Sequence, residues 1–362
     1  MRVPIALLPY GDGAGLTHGQ ALQSPCLTCS DTPCCSYLPV HTFTVHTLAD
    51  VDYAGYLLNF TGIELAINAE GQWSTYFRQS CRHLSPTDGS CTLHGSPAQP
   101  IVCQQYNPYQ CWYKRVMTVS ASDELVRIDR RRLDWILEHT RYDEHRRIVS
   151  SPSWHNLVAA CAELPLDVTP VPHPSPATDP GAPAPSGRRS LPVISTGPRR
   201  YADITAASPC DGCAAFCCTK VEFPLAVPRS VASLDFVKFS LGFPGVSIGV
   251  TDEGWRLIIS TTCRHLVGGR CSVYGTPQRP LKCAYYDAWR CTFRRDHDTA
   301  RTDAIVTVGL EQYDWLLETV SIDDDGVVTA MVDAATLGGH LRARVSDAAP
   351  AIAGAVELGA LR

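Results

Sequence analysis

The stretch Cys26-Leu27-Thr28-Cys29-Ser30-Asp31-Thr32-Pro33-Cys34-Cys35 puts four thiols into ten residues. Half a chain later Cys210-Asp211-Gly212-Cys213-Ala214-Ala215-Phe216-Cys217-Cys218 does the same in nine. Each burst is followed by four more cysteines in matching order: Cys81, Cys91, Cys103 and Cys111, then Cys263, Cys271, Cys283 and Cys291. Sixteen of the seventeen cysteines fall into this doubled pattern, and Cys161 stands outside it. Equivalent thiols lie 184 residues apart at the start of the repeat (26 and 210) and 180 at its end (111 and 291). A near-constant offset is the mark of an internal repeat.

The match reaches beyond the thiols. Cys81-Arg82-His83-Leu84 recurs as Cys263-Arg264-His265-Leu266. Cys91, Gly95, Pro97, Pro100 and Cys103 are spaced like Cys271, Gly275, Pro277, Pro280 and Cys283. Asp134-Trp135-Ile136-Leu137-Glu138 returns as Asp314-Trp315-Leu316-Leu317-Glu318, so each unit spans about 140 residues and includes a late helix. Between the units, ten prolines fall between Pro165 and Pro198 among Ala, Ser, Gly and Thr, the composition of a semi-stiff spacer. The reading divides the chain into an N-terminal tail (1–20), a first cysteine domain (21–162), a linker (163–200), a second cysteine domain (201–345) and a C-terminal tail (346–362).

Within each unit a coarse path is legible. Val51, Ala54, Leu57 and Leu58 sit at helical spacing, as do Val231, Leu234, Val237 and Leu241 behind a Ser230 cap. Alternation over 63–67 and 73–77, and over 246–250 and 255–259, predicts two hairpins. A last strand and helix are predicted over 116–140 and 305–320, and the sequence after Val320 carries little signal. The class is α+β: two small metal-stabilised domains, each with helices, a hairpin and cysteine-rich loops.

Composition narrows the function. Apolar residues make up 45% of 362, enough for two cores, and the net charge is −5. The richest basic run, 127–147, is interleaved with acids, so nucleic acid is not the expected partner. No apolar run approaches the roughly 18 residues of a membrane span, and 1–9 makes a poor signal peptide. The expected compartment is the cytoplasm, where dense cysteine means metal or redox chemistry more often than disulfides. Thiolates bind soft and borderline cations, and four of them suit zinc or an iron–sulfur cluster. Eight per unit suffice for two sites. In Cys34-Cys35 and Cys217-Cys218 neighbouring side chains are expected to diverge, one of each pair serving a second metal or role. A disulfide framework and inert buried thiols are the competing readings. The first lacks a secretory context, and the second does not explain two parallel sets.

The order Cys-x2-Cys-x3/4-Cys-Cys, Cys-x-x-Leu, Cys-x3-Gly-x-Pro-x2-Pro-x2-Cys, Cys resembles the YkgJ-type cysteine-cluster family, described as zinc- or iron-chelating. Cys271-Ser272-Val273-Tyr274 through Arg279-Pro280 and Cys283 fits the family's usual ending closely, whereas the first unit has His94 and Gln99 at the tyrosine and arginine positions. The resemblance implies metal or iron–sulfur binding at all sixteen cysteines and little about activity. A similar cluster in flagellin lysine N-methylases keeps a cluster-dependent enzyme, a protein methylase or oxidoreductase, as the alternative. His83 and His265 are read as hydrogen-bonding a ligand sulfur, with direct ligation as the alternative. Arg82 and Arg264 are placed to offset thiolate charge. Tyr106, Tyr286, Trp135 and Trp315 are read as core, and Cys161 as a free thiol. Gly11-Asp12-Gly13-Ala14-Gly15 lacks the spacing of a nucleotide loop.

Overall fold

The computed structural model describes residues 26, 29, 32–119, 121–167, 214–298 and 305–353. Cys210, Cys213, the glycine run 11–15 and most of the Pro-rich segment lie outside them. The architecture is α+β, and the same order of elements occurs twice.

In the first unit a 3-10 turn, Pro33–Cys35, leads into β1 (Tyr37–Phe43), α1 (Leu48–Leu57), β2 (Ile63–Asn68) and β3 (Trp73–Arg78). The cysteine loops then carry α2 (Ile101–Gln104) and α3 (Trp112–Met117) before β4 (Leu125–Ile128) and α4 (Arg130–Glu138). A small hairpin, β5 (Arg141–Tyr142) and β6 (Ile148–Ser150), and α5 (Trp154–Glu163) end the unit. The second unit runs α6 (Phe216–Thr219), β7 (Lys220–Leu225), α7 (Val231–Leu241), β8 (Val246–Thr251), β9 (Gly254–Ser260), β10 (Leu266–Val267) and β11 (Arg270–Cys271). It continues through α8 (Leu281–Ala284), α9 (Thr292–His297), β12 (Val306–Val308), α10 (Leu310–Leu317), β13 (Val320–Ile322), β14 (Val328–Met331) and α11 (Ala334–Ala353). The four-stranded sheets have the equivalent orders β1-β3-β2-β4 and β7-β9-β8-β12, with antiparallel pairing throughout.

Local chemistry sets the elements. Thr47 caps α1 and Asp50 completes a capping box, and Ser230 with Ser233 does the same for α7. The β2–β3 turn closes on Gly71 at φ 76°, a conformation glycine adopts without a Cβ penalty. Gly249 is fixed by contact: a Cβ there would lie 2.8 Å from Ile258 and closer still to Ile305.

Two outcomes differ from the sequence reading. The residues after Val320 form a hairpin and a long helix, matching β5, β6 and α5. Leu337 and Leu341 are buried where the first unit buries Leu157 and Cys161, so Cys161 fills a leucine's position in the core. The second difference concerns the cores. A single cluster joins Leu38, Leu57, Phe60, Leu65 and Leu133 to Phe223, Leu241, Phe243, Ile248 and Leu316. The units pack directly on each other: Phe60 bridges Cys263, the Thr61 amide donates to Thr262 O at 3.1 Å, and His41 meets Phe223 at 5.9 Å.

Candidate metal centre

A left-handed residue begins each centre. Thr32 (φ 35°) and Ala215 (φ 56°) occupy equivalent places, three residues before Cys35 and Cys218. Non-glycine residues adopt this conformation at a cost of order 1–3 kcal/mol, which the surroundings must repay. The turn is closed by the Cys35 amide to Thr32 O at 2.9 Å and by Cys218 to Ala215 O at 2.8 Å. Within the 3-10 turn side chains advance by about 120° per residue rather than alternating. The Cys34 and Cys35 sulfurs therefore turn together and stand 3.9 Å apart. That is narrower than the divergence expected from sequence. It is close to the roughly 3.8 Å edge of a tetrahedron with metal–sulfur bonds of about 2.3 Å.

The backbone draws in the remaining thiols. The Cys81 amide donates to Cys35 O at 2.7 Å, and Cys263 donates to Cys218 O at 2.8 Å. Leu84 bridges Cys91, and Leu266 pairs with Cys271, which brings the fourth segment alongside the third. Cys103 and Cys283 ride on the one-turn helices α2 and α8. Cys34, Cys81, Cys91 and Cys103 act on one another electrostatically, as do Cys217, Cys263, Cys271 and Cys283. A cavity of about 560 Å³ lies over the first centre, lined by Cys26, Cys29, Cys34, Cys35, Cys91 and Cys111, with Lys114 and Arg115 at its wall.

The helices that hold Cys103 and Cys283 are capped from the other unit. Asp235 on α7 accepts the Ile101 amide at 2.6 Å, and Asp52 on α1 accepts the Leu281 amide at 2.7 Å. The exchange continues beside Cys81 and Cys263: the Arg82 amide donates to Gly242 O, and Arg264 to Asn59 O. Space is tight there, since a Cβ on Gly242 would lie 3.4 Å from the Cys81 sulfur. Each centre is thus assembled from four segments of its own unit and one helix of the other.

Donors surround the sulfurs. Tyr106 and Tyr286, expected to be core, each place a hydroxyl 3.5 Å from the sulfur of Cys111 and Cys291. The signal was present in the sequence, since both tyrosines sit three residues after one cysteine and five before the next. Backbone amides of Lys114 and Arg294 donate to the same sulfurs at 3.3 Å. His83 and His265 reach Cys81 and Cys263 through their backbone amides, and burial lowers the basicity of both imidazoles. The Arg82 and Arg264 charges favour the thiolates of Cys81 and Cys263. Trp135 and Trp315 pack against the core as expected.

Burial and the neighbouring cysteines favour the protonated form of Cys81, Cys91, Cys103, Cys263 and Cys283. Burial pushes Cys81 and Cys283 up to about 11, with the neighbouring cysteines adding to the shift. Burial and then Cys34, Cys81 and Cys91 drive Cys103 well above the thiol range. Cys34 is the exception, lowered by its bond with Cys35, while Cys35 rises in consequence. A cluster of thiolates in this setting needs a cation to be stable. No disulfide joins any described cysteine. Among the described residues no three Cys, His, Asp or Glu side chains stand at the spacing of one ion's ligands, so the donors are gathered without closing on a point. In softness and in the spacing of the Cys34–Cys35 pair, the donor set fits zinc or iron.

No family model, curated protein or solved structure matches this chain. No described helix is long and apolar enough to cross a membrane.

Proposed function

We propose that the chain is a metal-binding protein of two tandem eight-cysteine modules, each holding an iron–sulfur cluster or zinc through thiolates. Its role is metal handling, electron transfer or scaffolding within a metal-stabilised pair of domains. The observation that carries this reading is the repeated convergence of thiols from chain-distant segments, tied backbone to backbone at Cys35–Cys81 and Cys218–Cys263. Packing alone gives no reason for two such gatherings at equivalent places.

On this reading Cys34, Cys35, Cys81, Cys91 and Cys103 hold the first centre, with Cys26, Cys29 and Cys111 from the cavity wall. Cys217, Cys218, Cys263, Cys271, Cys283 and Cys291 hold the second, and Cys210 and Cys213 complete the set by sequence equivalence. The bound group supplies a fixed charge and, if it contains iron, a one-electron couple. The protein's own part is to converge the thiols, to donate hydrogen bonds to them from backbone amides and from Tyr106 and Tyr286, and to offset their charge with Arg82 and Arg264.

The test is anaerobic purification of the full chain with metal analysis and a visible spectrum. The expected result is zinc or iron bound at both modules, lost on treatment with a chelator. A chain that binds neither after reconstitution, or whose cysteines are recovered as disulfides, removes the proposal.

A further inference from the structure

The pseudo-symmetry lets the two centres be compared position by position, and of the cationic positions that break it two flank the cysteine on the one-turn helix. The residue before Cys103 is Val102, whereas the residue before Cys283 is Lys282. Four residues before the same cysteines stand Gln99 and Arg279. The opposing helices differ to match. Helix α7 offers Phe236 and Phe239 on the side of Val102, and both pack with it into the core cluster. Helix α1 offers Tyr53 and Tyr56, with the Lys282 ammonium 4.6 and 5.3 Å from their ring centroids. The two rings are stacked 6.0 Å apart, and Tyr56 is buried within electrostatic reach of Cys217, Cys218 and Cys283. Arg279 lies over the Tyr274 ring at 4.2 Å and acts on Cys217 and Cys283.

The other charges near the centres are matched only in part: Arg270 and Arg290, directly before Cys271 and Cys291, stand where the first unit has Ser90 and Gln110, and Asp287, 3.9 Å from Arg290, stands where it has Asn107. Arg82 is matched by Arg264, and the Lys114–Arg115 pair by Arg294–Arg295. Lys238, which acts on His83, is matched in space by Arg130, which acts on His265. Glu222, which faces Lys282, is engaged by Arg256 and His297. Of the positive charges on the second side with no counterpart on the first, Arg279 and Lys282 are the two that act on Cys217 and Cys283.

We propose that the two centres are unequal by construction, and that Arg279 and Lys282, the latter held on Tyr53 and Tyr56 of the other unit, make the second the tighter site for a thiolate-bound divalent cation. The inference rests on the metal-binding reading. Its reason is charge: four thiols that take up one divalent cation and release four protons to solvent become an assembly of net charge −2, and nearby cations stabilise that change. Lys282 is solvent-exposed on its outer side, so water and salt screen it. Two such charges at the distance of a neighbouring side chain give about a tenfold preference. The rings keep the ammonium at its post through cation–π attraction.

The experiment is a Co2+ titration of the metal-free full chain, followed by the sulfur-to-cobalt charge-transfer absorption. The expected isotherm has two resolved phases about tenfold apart. In the double variant Arg279→Gln with Lys282→Val, which copies the first centre at these two positions, the tight phase weakens towards the loose one. In Val102→Lys the weak phase strengthens. Unchanged phases in both variants overturn the inequality, as does a single phase in the unaltered chain. No thiolate absorption at all in the unaltered chain removes the metal-binding reading itself, so the two failures are distinct.

Discussion

The two units build the same sheet and helices but anchor their last helix differently. In the first, the Arg132 guanidinium is fully buried and donates to Arg127 O at 2.7 Å, to Leu164 O at 2.6 Å and to Cys161 O, clasping the end of α5. In the second, the equivalent Gln312 bonds the Gly309 amide and stays at the start of α10, while α11 is held by Leu337 and Leu341. One helix end is fixed by hydrogen bonds to a buried cation, and the other helix by apolar contact and the pairing of Arg344 and His340 with Glu318. Against that difference the cysteine side of the units is conservative: caps, tyrosine hydroxyls and amide donors recur in place. The repeat was free to vary where any interaction would hold a helix, and where sulfurs converge it kept its backbone form while the flanking charges changed.

Arg132→Met gives the largest expected effect and breaks this contrast most directly. It strands the carbonyls of residues 127, 161 and 164, at about 1–3 kcal/mol each for buried unpaired acceptors. A loss of at least about 3 kcal/mol in denaturant unfolding is expected, against under about 1 kcal/mol for Gln312→Met. Equal losses would show that the anchors are equivalent.

Next in size are the exchanged caps. Asp52→Ala and Asp235→Ala should each cost about 1–2 kcal/mol, the range for a lost helix cap. Their effects on the centres should cross. Asp52→Ala depletes cation at the second centre and Asp235→Ala at the first, read by alkylating the exposed thiols and mapping the labelled cysteines. Depletion within the mutated unit would overturn the arrangement at α2 and α8.

The smallest effect is a pH dependence that sharpens the likeness between units. Cys81 and Cys283 are both raised by burial to about 11. Unfolded thiols titrate near their ordinary value, so from about pH 9 upward they release protons that the folded thiols keep. The folded state then binds more protons, and its stability falls as pH rises through the folded values. The metal-free chain should show a melting midpoint that declines between pH 9 and 11, and the Co2+-loaded chain a flatter one. A midpoint that rises over that interval would contradict the burial of these thiols.

Much of each unit was legible beforehand. Helix α7 and both hairpins follow from periodicity and the Ser230 cap, and their observed spans agree within a residue or two, whereas α1 follows from periodicity alone and its Thr47 cap was not read. Strand β1 was not legible, because Pro39 and His41 interrupt its pattern and the pairing shifts register between them. The joint core was hidden for another reason: ten prolines between the units suggested separation, and nothing local distinguishes a Phe60 or Phe243 that packs across from one that packs within. The interunit caps were also out of reach. Asp52 and Asp235 look like solvated helix residues, and their one visible mark is that an aspartate stands at the same place in both copies. The doubled order of the thiols was legible by spacing, while the tyrosine hydroxyls beside Cys111 and Cys291 were taken for packing.

The crossed aspartates bear on how such a chain could arise. An ancestor with a single copy would satisfy its own cap only by pairing with a second identical molecule, each lending the other its helix. Fusing the two into one polypeptide makes the pairing independent of concentration and frees each half to change alone, since a substitution no longer appears on both sides of the axis. Lysine can then stand beside one set of sulfurs and valine beside the other, which no symmetric dimer could maintain.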